Sequence, residues 1–236
     1  ALLAGGWQPS GEFDDYDQHY YRAWMHEVPP LRHPARETEV DLHHNLAPPV
    51  SRIRIDSARL WEAAVEVSDP YGFTVKVLGP ADMLLHNAVH LFMNDELRGG
   101  LRDVMDFRDL YEHFRDRDPA FEQALVARAG ALGCGLPLYY AVETAQRLCG
   151  LAPAASVRDG LASYAPAAPV GHLMRWLIDR ALAPPRLGLR SSALARQMLF
   201  IRSHWVRMPL PMLVRHLLRK ALKRHQPESS IAETPG

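Results

Sequence analysis

At Gly79-Pro80 the hydrophobic pattern of this sequence changes period, and that change dictates a two-part fold. Before it, prolines and alternation dominate. His19–His26 reads as a strand ended by Pro29-Pro30. Glu37–His44 alternates, with Thr38, Val40 and Leu42 on one face and Glu37, Glu39, Asp41 and His43 on the other, as in a half-buried strand closed by Pro48-Pro49. Phe73–Leu78, between Gly72 and Gly79-Pro80, is a third candidate strand. After Pro80 the apolar residues recur at helical spacing: Met83, Leu84, Ala88, Leu91 and Phe92, then Leu101, Val104, Met105, Phe107, Leu110, Tyr111 and Phe114. Further helices are predicted over 119–132, 136–149, 154–164, 168–182, 189–204 and 209–224, separated by Gly and Pro. The expected fold class is therefore α+β, predominantly α, with a partial sheet preceding a C-terminal helical bundle. Residues 1–78 form the first unit, 79–227 the bundle and 228–236 a frayed tail.

With 47% hydrophobic and 23% charged side chains in 236 residues, the chain is an ordinary globular one, neither disordered nor collagen-like. Cys134 and Cys149 lack CxxC spacing, which points to a reducing compartment and a cytoplasmic location without a disulfide framework. No apolar run approaches the roughly 18–20 residues that span a bilayer. The opening Ala1-Leu2-Leu3-Ala4-Gly5-Gly6 lacks a methionine and reads as the end of a helix with a glycine cap, so a natural N-terminus upstream of Ala1 is expected. Charge is balanced, 27 basic against 27 acidic, but unevenly spread. From Arg180 onward 11 basic side chains face only Glu228 and Glu233, leaving +9 in the tail and −9 before it. The tail is amphipathic, with Leu210, Leu213 and Leu217 set against Arg215, Arg219 and Lys220. Packing on the acidic body is favoured over an anionic membrane surface or nucleic acid as its partner.

Three constellations could carry chemistry. Alternation puts Glu39, Asp41 and His43 on one strand face, where carboxylates can hold a hard divalent cation such as Mg²⁺ and leave room for phosphates. A solvated strand face is the plainer alternative. His86 and His90 lie four apart on a helix and project from one side. That spacing can ligate zinc, but Asn87 stands where a metalloprotease needs Glu, so a half-buried pair bonded to loops or to Asp106 is preferred. Arg102 and Asp106 form an i,i+4 pair, in which Arg102 is either structural or a phosphate ligand. The sequence contains no GxxxxGK[ST], GxSxG or Cys₄ arrangement.

Val40-Asp41-Leu42-His43-His44, Leu78-Gly79-Pro80-Ala81-Asp82-Met83-Leu84-Leu85 running on to His90, and Leu101-Arg102 with Asp106 resemble, in order and interval, three motifs of an uncharacterised nucleotidyltransferase family, type 5. Those motifs read roughly V-E-L-H-W, L-x-x-x-D-x-L-L-x-x-x-x-H and L-R-x-x-x-D, and the resemblance extends from the start of the chain to about residue 115. It implies a β-polymerase-like fold, residues 1–78 as the later part of its α/β domain, and Mg²⁺-dependent transfer of a nucleotidyl group from an NTP to an unknown acceptor. On this resemblance Asp41 is the third metal carboxylate beside Glu39, with His44 in place of the family Trp. His43 would orient Asp41 or contact a phosphate, and Arg102 stays the candidate guanidinium for a phosphate. The family's Gly-Ser turn and D-x-D pair are expected upstream of Ala1, which would leave this stretch inactive by itself. Asp15-Tyr16-Asp17 spells D-x-D but lacks the preceding turn and reads as a loop. The competing readings are a non-catalytic scaffold that has lost its metal site and a metalloprotein built on His86 and His90.

Overall fold

The computed structural model describes residues 2–11, 13–94, 97, 99–183 and 192–224. The fold is α+β and mostly α, as the change of period predicts. A 3₁₀ turn over Leu3–Gly5 ends at Gly6, whose φ of 88° supplies the left-handed cap. Three short strands, β1 (Gln8–Pro9), β2 (Leu31–His33) and β3 (Thr38–Val40), form an antiparallel sheet with Arg32 opposite both Gln8 and Glu39.

His19–His26 is not a strand. Helix α1 (Asp15–His19) runs into a single π turn over Tyr20–Trp24. Asp14 caps it, accepting from the Asp17 amide at 2.8 Å while the Asp17 carboxylate accepts from the Asp14 amide. Tyr16 and Tyr20 then meet Trp24 edge-on, with ring centroids 5.7 and 6.1 Å away. A cap and a helical aromatic stack outweigh the strand preference of the same rings. The D-x-D of Asp15 and Asp17 accordingly lies in the first turn of α1 rather than in a loop. The predicted strand 37–44 shortens to β3, because Glu37 turns the chain with φ 48° and regular pairing stops at Val40.

Helix α2 (Ser57–Glu62) precedes a hairpin of β4 (Val65–Ser68) and β5 (Thr74–Val77). Asp69 closes the hairpin, its carboxylate accepting from the Tyr71 and Phe73 amides at 2.9 and 2.8 Å. The predicted strand 73–78 is β5.

Pro80 at the first position opens α3 (Pro80–Val89), which passes into a π turn over His90–Asn94. Then follow α4 (Leu101–Arg115), α5 (Phe121–Ala131), α6 (Gly135–Cys149), α7 (Ala155–Ala162), α8 (Ala168–Leu182), α9 (Ala193–Arg207) and α10 (Leu210–Arg224). The predicted helix 189–204 is α9, and its first residues, 189–191, lie outside the described part, as does the tail 228–236. Helix α3 is central, packing on α4, α5 and α6. Leu84, Leu85, Val89, Phe107, Tyr111, Leu125, Leu138 and Ile178 form a core with almost no exposure. Ile55 and Leu60 join it, so α2 and the loop before it are sealed onto the bundle.

The basic C-terminal helices touch the N-terminal part. Arg219 bonds the Asp14 carboxylate at 2.9 Å and lies 4.1 Å over the Tyr16 ring. Arg52 stacks 3.9 Å over Trp205. Among the described residues no helix is long and apolar enough to cross a membrane.

Candidate functional site

Beyond β3 the chain pairs again, with a segment outside the sheet. The Val28 amide donates to Leu42 O at 3.0 Å and the His44 amide to His26 O at 2.8 Å, with Glu27 and His43 bridged between them. Asn45 fixes the exit of this turn by donating to Ile55 O at 2.8 Å. Cross-strand partners project to the same side, and the Glu27 carboxylate accordingly stands 3.4 Å from His43 Nε2. The His26 ring packs edge-on against His43, centroid to centroid 4.9 Å. One ligand atom from each of His26, Glu27 and His43 lies within 4.8 Å of the other two.

His26 is buried, and its Nδ1 has no hydrogen-bond partner. Burial drives its pKa down to about 4, aided by the positive fields of His43, Arg207, His44 and His90. The imidazole is neutral at physiological pH and keeps a lone pair. Burial also raises the Tyr21 phenol, followed by the negative fields of Glu27, Asp17 and Asp41.

The His86–His90 pair lies near enough to act electrostatically on this cluster. Its rings stand 6.2 Å apart and line a cavity of about 330 Å³ with Asn87, Asp103 and Asp106. Although solvent reaches His86, the protein around its ring lowers its pKa by desolvation, then through His90 and His43. Asn87 donates to Asp103 O at 3.3 Å, which ties α3 to α4, while its Oδ1 is buried without a partner. Arg102 and Asp106 approach to 3.9 Å, with side chains 88% and 54% exposed. At that exposure the pair adds little stability and Arg102 is available to a ligand. A second cavity of about 180 Å³ lies beside His43 and His44, between α2 and β5, with Trp61 and Lys76 in its wall.

Glu39 and Asp41 are exposed. Among the described residues neither belongs to a group of three convergent metal ligands. Mg²⁺ takes oxygen donors, whereas the donors that converge here are two imidazoles and one carboxylate. The described residues therefore do not by themselves fit a two-Mg²⁺ site. Asp14 and Asp17 are engaged in capping α1. Sequence reasoning missed His26 and Glu27, since it placed His26 at the end of a strand. The available signal was that His26-Glu27 and His43-His44 each stand shortly before a Pro-Pro pair; that the two segments pair is visible only in the fold.

A short sheet that carries a carboxylate–histidine segment to a histidine-bearing bundle helix defines a mostly helical α+β protein with one polar face at the junction. Residues 1–150 match the family model described as uncharacterised nucleotidyltransferase, and the chain belongs to that family. No curated protein and no solved structure gives a significant match.

Proposed function

We propose that the chain serves metal-dependent transfer of a nucleotidyl group from an NTP to an acceptor, in the cytoplasm, with Asp41 contributing one carboxylate. One observation carries this reading: the family's three motif segments are neighbours, with His43 and Leu78 in the wall of one cavity and Leu78, His86, His90 and Asp106 in the wall of another. His43 acts electrostatically on His86, and His86, His90 and Asp106 share a cavity wall. Packing of α3 on α4 brings His86, His90, Asp103 and Asp106 together, and a polar wall of this kind suits a phosphate-bearing substrate. Exposed Arg102 offers a guanidinium for a nucleotide phosphate, and His43 a second polar contact beside Asp41.

The reading requires a Gly-Ser turn and a D-x-D pair from outside these 236 residues, and those carboxylates would hold most of the Mg²⁺ coordination. The non-catalytic alternative draws its support from Asp14 and Asp17, which are committed to a helix cap. The deciding experiment follows label from α-³²P NTP, with release of pyrophosphate, using the native gene product and Mg²⁺. Transfer that needs Mg²⁺ supports the enzyme. Absence of turnover with every NTP, by a folded native product, favours the scaffold.

A further inference from the structure

The His26–Glu27–His43 cluster has a chemistry that phosphate binding leaves unexplained. Two donors bound to Zn²⁺ at about 2.0–2.2 Å and at a tetrahedral angle stand about 3.4 Å apart. His43 Nε2 and Glu27 Oε2 are already separated by 3.4 Å, and the third ligand atom lies within 4.8 Å of both. The bonds from Val28 to Leu42 and from His44 to His26 hold the two backbones side by side, which leaves side-chain rotation as the motion that closes the triangle.

We propose that His26, Glu27 and His43 bind one divalent transition-metal ion of the Zn²⁺ type through two imidazole nitrogens and one carboxylate oxygen. A fourth position is left for water or an exogenous ligand, as in sites with three protein ligands. The donor set favours borderline ions over Mg²⁺.

A plain ion pair accounts for less. Glu27 with a protonated His43 satisfies two groups and leaves the buried His26 Nδ1 without a partner, which is costly in the interior. A cation held by all three, with His26 ligating through Nδ1, would give that atom its partner. The Glu27 charge offsets the positive field of Arg207, which is felt at His26. His44 acts electrostatically on His26, and Glu27 on the Tyr20 and Tyr21 phenols, so the cluster lies in a polar neighbourhood. The His86–His90 pair is a poorer site, because among the described residues no third ligand atom closes on it.

The test uses the full chain, freed of any polyhistidine tag and stripped with chelator. It is titrated with Zn²⁺ against a chromophoric chelator, and with Co²⁺ followed by visible absorption. The expected result is one ion per chain and the intense Co²⁺ band of a tetrahedral site. Glu27→Gln and His43→Ala should each raise the dissociation constant by more than about tenfold, while His86→Ala and His90→Ala keep one bound ion. His26→Ala should also lose the ion. It opens a buried position, so Glu27→Gln, nearly isosteric and only half-buried, is the variant that keeps the test valid, with circular dichroism as the folding control. Failure to bind one equivalent overturns the proposal, as does unchanged affinity in both Glu27→Gln and His43→Ala. Loss of the ion in His86→Ala alone would move the site to the helix and overturn it equally. No nucleotide enters the assay, so its outcome is independent of the transferase reading.

Discussion

Asp82 and Arg128 form a two-pronged ion pair inside the bundle. Arg128 Nε and Nη2 donate to the two Asp82 carboxylate oxygens at 2.7 and 2.8 Å, and the Asp82 side chain is 2% exposed. Nη2 also reaches Arg59 O at 2.8 Å, and Arg59 in turn donates to Ala131 O at 2.8 Å. Helices α2, α3 and α5 are thus tied through one guanidinium. Asp82 is the acidic residue of the second motif, and here it holds helices together. Asp82→Ala leaves the part-buried Arg128 guanidinium without its carboxylate and should destabilise the fold by about 1–3 kcal/mol. Asp82→Leu combined with Arg128→Met should recover most of that loss, because no unpaired charge remains. Urea midpoints of the two variants check both statements. A loss under about 1 kcal/mol for Asp82→Ala would remove the clamp.

Helices were legible where one face is apolar over several turns, and α3 through α8 follow the period that starts at Pro80. The N-terminal part was less legible, for local reasons. Tyr20, Tyr21 and Trp24 favour strands intrinsically, yet Asp14 and Asp17 cap them into a helix. Val65-Glu66-Val67-Ser68 alternates, and Asp69-Pro70-Tyr71-Gly72 is a turn signal, so β4 was present in the pattern and passed unread. Among the candidate site residues, the spacing singled out His43, His86, His90 and Asp106, but it gave no sign of which other side chains approach them. The partners of His43 come from a segment sixteen residues earlier that pairs by one isolated bridge, and no local period encodes that.

Cys134 is fully buried, and burial raises its thiol to about 12 from the usual 9, with the Asp82 charge raising it and Arg128 opposing. The folded state therefore retains a proton that the unfolded chain releases. Stability from this group is complete below about pH 9 and falls as pH rises toward 12, by about 1.4 kcal/mol per unit within that window. Urea midpoints from pH 8 to 10.5 should fall more steeply for wild type than for Cys134→Ala. At pH 8 a thiol reagent should modify the partly exposed Cys149 well before Cys134. Parallel pH profiles, or equal labelling, would contradict the assignment.

The contact of Arg219 with Asp14 joins α10 to α1 across 205 residues of sequence, with side chains 44% and 41% exposed. Exposed pairs contribute at most about 1 kcal/mol, so Arg219→Glu should barely move the global unfolding midpoint. Its effect should be local. Placing a carboxylate beside Asp14 repels α10, and limited proteolysis should then cut faster around Met208-Pro209. High salt should raise cleavage of the wild type and narrow the difference. Arg52→Ala, which loses its place over Trp205 and its 3.2 Å bond to Trp205 O, should quicken the same cut. A cleavage pattern unaltered by either variant would show that these cations do not hold the tail.

Asp41 separates the two chemistries assigned to the junction. It is exposed and lies one residue beyond β3, so Asp41→Asn should leave the unfolding midpoint within about 0.5 kcal/mol. It is outside the convergent trio, so Zn²⁺ stoichiometry should also be unchanged. If Asp41 is the carboxylate that faces the nucleotide, the same substitution should lower NTP turnover by the native gene product by about 100-fold or more, because a neutral amide replaces a charge needed at the reacting phosphate. Glu27→Gln should show the opposite pattern, with metal lost and far less effect on turnover. Comparable losses of turnover and metal in both variants would mean that one site, not two, occupies this face. Full turnover in Asp41→Asn would exclude it from the transfer site and return the search to the Asp103–Asp106 wall of the larger cavity.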